Sequence, residues 1–112
     1  MFKYSKDGVS VLTILDIRRA KINGLFPVKV QVVFRRKQKY YSTGKELSKE
    51  DWDRLLKAKS QLLMEVRADI ESSFSIIKQQ VSELIQKGEF SFEILSIRLG
   101  RHTKEINLRT AF

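Results

Sequence analysis

The chain has 112 residues, 42% of them apolar, which allows one modest core and excludes two large ones. It contains no cysteine, so disulfides and thiolate metal sites are excluded, and no apolar run approaches the ~20 residues that a membrane-spanning helix needs. The net charge of +9 is concentrated: residues 1–45 carry 11 Lys/Arg against Asp7 and Asp16, whereas in residues 46–112 the other 11 Lys/Arg meet 11 Asp/Glu. A basic N-terminal part on a neutral scaffold points to a polyanionic partner. The opening MFKYSKDG lacks the apolar stretch of a signal peptide, so the expectation is a cytosolic protein.

In chain order, Val9 to Ile17 (VSVLTILDI) is rich in β-branched residues and reads as a buried strand. Asn23-Gly24 marks a turn, and Pro27 suits the start of a second strand, where its missing N–H costs least. From there the pattern alternates, with Val28, Val30, Val32 and Phe34 on one face and Lys29, Gln31, Val33 and Arg35 on the other. A third strand is expected at about Lys39 to Thr43. A two- or four-residue hairpin loop around Arg35-Arg36-Lys37 turns Tyr41 into the core opposite Val30 or Val32 and Tyr40 outward beside Gln31 or Val33. A three-residue loop exchanges the two tyrosines, and no Asn-Gly or Asp-Gly step fixes the loop there. The even loop is the preferred reading.

The composition changes at ELSKEDWDRLL. Ser48 followed by Asp51 resembles a capping box, and a long helix is expected over 49–87. Leu55, Leu62, Val66, Ile70, Phe74, Ile77, Val81 and Leu84 form its apolar stripe, and Gly88 supplies a stop. At 1.5 Å per residue such a helix is about 55 to 60 Å long, against about 17 to 27 Å for the expected strands. Three remedies are open: a break near Glu71-Ser72-Ser73, a C-terminal segment folded back, or pairing with another chain. A short helix over 91–99, capped by Ser91 and carrying Phe92, Leu95, Ile97 and Leu99, favours the second. The expected fold is therefore α+β: a three-stranded antiparallel sheet in residues 1–47, packed on a helical part in residues 48–112.

Little supports an enzyme. His102 is the single histidine and stands in a polar tail, no clustered metal-ligand pattern occurs, and the glycines stand alone, so no phosphate-cradling loop can be drawn. Glu50, Asp51 and Asp53 sit at a helix start, where capping explains them. The basic sheet is the better candidate. Lys29, Gln31 and Arg35, with Tyr40 and Ser42 on the neighbouring strand, form a flat patch of the size that enters the major groove of DNA, and Arg35, Arg36, Lys37 and Lys39 at the hairpin tip suit a phosphate backbone. The blander account holds that lysine and arginine merely keep edge strands from mispairing. It serves for any one residue and poorly for 11 cations against two carboxylates.

The stretch LDIRRAKINGLFPVKVQVVFRRKQKYYSTGKELSKEDW resembles the N-terminal arm-type DNA-binding region of tyrosine recombinases, the integrases of Bacteroides-type phages and conjugative transposons. The shared frame is Leu15-Asp16 with Arg18-Arg19, then Gly24, Pro27-Val28, the alternating strand, the basic hairpin, Ser42-Thr43-Gly44 and Trp52. The resemblance implies a three-stranded sheet in the major groove of arm-type sites, with a helix behind it and Trp52 as a core anchor. Base-facing positions would be Lys29, Gln31 and Tyr40; phosphate contacts would be Arg18, Arg19, Lys21, Arg35, Arg36, Lys37 and Lys39. It also implies that the catalytic residues belong to a further domain that leads on from NLRTAF, so this chain binds bacterial double-stranded DNA without cutting it. No cofactor, small-molecule ligand or membrane is expected, and other recombinase protomers are candidate partners of the helical part. The alternative function is a helix-mediated interaction or oligomerisation module with only loose nucleic-acid contact.

Overall fold

The computed structural model describes residues 2–19 and 23–106, with side chains of the last helix described as far as Gly100. Lys21, the side chain of His102 and the closing NLRTAF lie outside the described residues. Strands β1 (Lys3–Lys6), β2 (Val9–Leu15), β3 (Phe26–Phe34) and β4 (Lys37–Leu47) form one antiparallel sheet in sequence order. Helices α1 (Lys49–Arg54), α2 (Gln61–Gln86) and α3 (Phe92–Ile106) follow, with a 3₁₀ turn at Leu55–Lys57 after α1.

The sheet thus has four strands, not three. The added strand β1 joins β2 through the two-residue turn Asp7-Gly8, whose φ angles of 51° and 82° belong to the tight hairpin turn that Asp-Gly favours. KYSK escapes pattern reading because four residues with one apolar side chain show no alternation. Ahead of it, Phe2 is held by paired bonds with Thr13: its N–H donates to the Thr13 hydroxyl at 2.9 Å, and its carbonyl accepts from the Thr13 N–H at 3.1 Å.

The β3–β4 loop has two residues. Phe34 pairs with Lys37, which leaves Arg35-Arg36 as the turn, and Val30 accordingly faces Tyr41 while Gln31 faces Tyr40. Tyr41 packs against the core and Tyr40 points to the other face, as the even-loop reading expects. Arg35 and Arg36 both have positive φ, 51° and 67°. That backbone costs a residue with a Cβ roughly 1 kcal/mol or more.

One face of the sheet makes the core. Val9, Val11, Val30 and Val32 meet Phe74, Ile77, Val81 and Leu84 of α2 and Leu95 of α3, while Val28, Leu47, Leu55 and Ile70 form an adjoining cluster against which Trp52 packs. Sheet and helices therefore share their cores. Lys45 reaches Asp69 of α2 at 3.0 Å, tying β4 to that helix at the surface.

The expected helix over 49–87 is two helices with a break at Ala58-Lys59-Ser60, not at Glu71-Ser72-Ser73. A continuous helix from the buried Leu55 would carry Lys59, one turn on, onto the apolar face. The break resets the phase, so that Leu63 packs inward and Leu62, expected in the stripe, is 68% exposed. It also removes the mismatch of lengths: α2, with 26 residues, is about 39 Å long, and β4, with 11 residues, about 36 Å. The caps follow the sequence. The Asp51 N–H donates to the Ser48 hydroxyl at 3.1 Å, and Gly88, with φ of 68°, ends α2 through bonds from Gly88 N–H to the Ile85 carbonyl and from Glu89 N–H to the Leu84 carbonyl.

Helix α3 folds back as expected, with Ser91 capping the Ile94 N–H at 3.1 Å, but it runs on to Ile106 instead of stopping at residue 99. Phe92, Leu95 and Leu99 pack on the core. Ile97, expected to join them, is 55% exposed, since it lies two residues from Leu95 and so on another side of the helix. Arg98 binds Glu83 of α2 at 2.9 Å, and Ser96 sits within 3.2 Å of both the Tyr41 hydroxyl and Lys39 Nζ.

Candidate nucleic-acid interface

The helices bury the valine face, and the alternation of each strand sends every second side chain to the opposite face. There the register builds rows across the strands. Lys3, Leu12, Gln31 and Tyr40 lie side by side; Ser5, Ser10, Val33 and Gln38 form the row nearer the hairpin tip, and Ile14, Lys29 and Ser42 the row on the other side. Gln31 is the centre of a polar network: its Nε2 donates to Gln38 Oε1 at 2.7 Å and to the Tyr40 hydroxyl at 3.2 Å.

Asp16 organises the cations beside this network. Its side chain, 1% exposed, accepts from Lys29 Nζ at 2.9 Å, from Arg18 Nε at 3.1 Å and from the Arg18 backbone N–H at 3.2 Å, with Arg19 Nε at 3.7 Å. Bonds from Lys29 and Arg18 hold the Asp16 carboxyl at about 2, below the usual carboxylate range, despite the opposing effect of burial. The same bond raises Arg18 further. Arg18 is laid across the Tyr40 ring, its Cζ 5.2 Å from the centroid, with Lys29 Nζ 6.0 Å from the same ring. One buried carboxylate thus gathers three cations that would otherwise repel one another.

Of the residues expected from sequence, Lys29, Gln31 and Tyr40 are brought together on the outer face, with Arg18 and Arg19 at its margin. Three others stand elsewhere. Arg35, expected on the outer face of β3, is in the turn and lies over the Phe34 ring at 4.9 Å, because the turn ends the alternation one residue earlier. Lys37 and Lys39 pair with Phe34 and Val32 and so belong to the helix side of β4, where Lys39 bonds Ser96. With Arg36 they form an exposed basic edge rather than part of the flat face. Lys21 lies outside the described residues.

Several outer-face residues escape sequence reasoning. Gln38 becomes visible as Gln31's neighbour only once the loop is known to have two residues, and Lys3 only once β1 is seen. Leu12 and Ile14 are half-buried apolar side chains on this same face, where alternation expects polar ones, and they join Val33, which the alternation of β3 already placed there. The signal for Asp16 is its negative charge two residues before Arg18-Arg19, in a stretch otherwise rich in cations.

Among the described residues no three His, Cys, Asp or Glu side chains group as a metal site, and no helix is long and apolar enough to cross a membrane. The model of a family described as Arm DNA-binding domain matches residues 13–96, from within β2 to within α3. No curated protein and no solved structure matches the chain. The matched strands are β2, β3 and β4, with β1 preceding them. The match covers well over half of the chain, which therefore belongs to the Arm DNA-binding domain family, the non-catalytic DNA-binding region of integrases.

Proposed function

We propose that the chain binds double-stranded DNA by inserting the outer face of the sheet into the major groove at arm-type sites of a tyrosine recombinase. The observation that carries this reading is the one-sided packing: all helices lie against the valine face, while the opposite face presents Gln31, Gln38 and Tyr40 flanked by Arg18 and Lys29. Strands β2, β3 and β4 span about 10 Å at the usual strand spacing, within a groove about 12 Å wide. Adding β1 brings the width to about 14 Å, so Lys3 reaches the rim and a phosphate strand. Gln31 and Tyr40 face base edges; Arg18, Arg19, Arg35 and Arg36 suit phosphates.

Less supports the oligomerisation alternative. Of its helix stripe, Leu55, Ile70, Phe74, Ile77, Val81 and Leu84 are buried inside the chain's own core, while Val66 is half-buried and Leu62 exposed. Fluorescence anisotropy with a labelled duplex over ~50 to 200 mM salt tests the groove reading. Five phosphate contacts, from Lys3, Arg18, Arg19, Arg35 and Arg36, give a log–log slope of about −4.5, about 0.9 per contact. A slope near zero contradicts it.

A further inference from the structure

We infer that the outer face selects A·T base pairs, reading adenine with the Gln31–Gln38 pair and thymine methyl groups with Leu12, Ile14 and Val33 beside it. The inference rests on the major-groove reading above and adds the class of sequence that the face takes.

Hydrogen-bond inventory carries the first half. An amide nitrogen has two hydrogens, and those of Gln31 are directed to Gln38 Oε1 and to the Tyr40 hydroxyl. Gln31 therefore has its Oε1, an acceptor, left to offer, and Gln38 has both hydrogens of its Nε2, a donor, left beside it. An acceptor beside a donor complements adenine, whose major-groove edge pairs the N6 donor with the N7 acceptor. It mismatches the edge of guanine alone, whose O6 and N7 are both acceptors, and where it spans guanine O6 and cytosine N4 of a G·C pair it meets no methyl group for the neighbouring apolar side chains. Tyr40, having accepted from Gln31, keeps its hydroxyl proton for an acceptor such as thymine O4.

The cations that ordinarily read guanine are restrained. Lys29 is bound to Asp16 and only 18% exposed at its side chain, and Arg18 has its Nε on the same carboxylate. Lys29 is thereby held at Asp16, and Arg18, which keeps its Nη donors, is laid along the Tyr40 ring at the margin of the face rather than at its centre.

The apolar residues carry the second half. Leu12 stands opposite Gln31, Ile14 opposite Lys29, and Val33 opposite both Ser10 and Gln38. Facing pairs of this kind have Cβ atoms about 5 Å apart. The apolar group at the major-groove edge is the thymine C5 methyl, which stands on the partner base of the adenine being read. A polar groove-reading face with apolar side chains at its centre is thus matched to adenine and thymine together.

The test is a titration of the whole chain with duplexes of equal length and equal ends, whose centres are mixed A·T or mixed G·C sequence. The expected preference for the A·T centre is roughly tenfold or more, the scale of one good base contact. Two altered duplexes assign it: deoxyuridine for thymidine removes the methyl, and 7-deazaadenine removes N7. Each is expected to weaken binding several-fold, and both changes lie in the major groove, which separates base reading from minor-groove shape. Gln31→Arg, on the outer face away from the core and checked for an intact fold by thermal melting, supplies two donors and should shift preference toward the G·C centre. Equal affinity for both centres, insensitive to the altered bases and to Gln31→Arg, overturns the inference while leaving salt-dependent duplex binding in place. Failure to bind either duplex overturns the groove reading itself.

Discussion

The two faces of one strand divide the work of this molecule. On β3, Val28, Val30 and Val32 are fully buried against the helices, and one residue over, Lys29 and Gln31 are bound into a polar surface network with Asp16, Gln38 and Tyr40. The inner face is held by apolar burial, which is non-directional; the outer face is held by hydrogen bonds with fixed partners. The difference teaches that the two faces are held by different forces, so under the proposed groove reading stability and recognition separate and substitutions should sort by face.

The largest effect belongs to the inner side. Phe74, 5% exposed and with its ring centroid 5.7 Å from that of Phe2, fills the space between α2 and the sheet. Phe74→Ala should cost about 3 to 5 kcal/mol and lower the thermal midpoint sharply. A change within ~0.5 kcal/mol, as at an ordinary surface position, would break the division between the faces.

Asp16→Asn probes the outer face by sign. Removing a negative charge would tighten binding to all DNA if Asp16 served only to lower the net charge. If it positions Arg18 and Lys29, preference for a specific site over competitor DNA should instead fall by roughly fivefold to tenfold, the scale of a lost base contact. Tighter binding with unchanged preference refutes positioning. The pH dependence has the opposite sense from a histidine switch: with its carboxyl at about 2, the Asp16 contribution is complete above the usual carboxylate range and is lost as pH falls through about 2. Acid unfolding followed by circular dichroism should thus shift to higher pH in Asp16→Asn.

The smallest effect on stability has a favourable sign. Replacing Arg35-Arg36 by Asn-Gly relieves two positive-φ positions and should stabilise the fold by about 1 kcal/mol. The same change removes two cations and should make the salt slope shallower by about 2. A variant that gains stability and keeps the full slope would exclude the tip from phosphate contact.

Much of this division was legible in the sequence. The alternation from Val28 to Phe34 is a period-two signal that survives into the structure, and the parity of an even loop assigns Tyr40 and Tyr41 to their faces. The break at Ala58-Lys59-Ser60 was less visible, because Leu62 and Leu63 are adjacent and either continues a stripe; only the buried partners decide which one does. Helix α1 is too short for its end to stand out from the periodicity of α2. The Asp16 cluster was the hardest to see. Its bond to Lys29 joins residues 13 apart across two strands, and nothing local to Asp16 announces that pairing. The Gln31–Gln38 contact likewise depends on the loop having two residues, which Arg-Arg, an unusual choice for positive φ, does not declare.

The central claim is that the polar face of the sheet meets duplex DNA while the valine face and its helices do not. Titrating the ¹⁵N-labelled chain with a duplex and following backbone amides, together with the side-chain amides of Gln31 and Gln38, tests it directly. The account predicts shifts at Lys3, Leu12, Arg18, Lys29, Gln31, Gln38 and Tyr40, with the Gln31 and Gln38 side chains among the most affected and the outward face of α2 unmoved. Shifts confined to Glu65, Asp69, Ser72 and their neighbours on α2, with the sheet unperturbed, would contradict it.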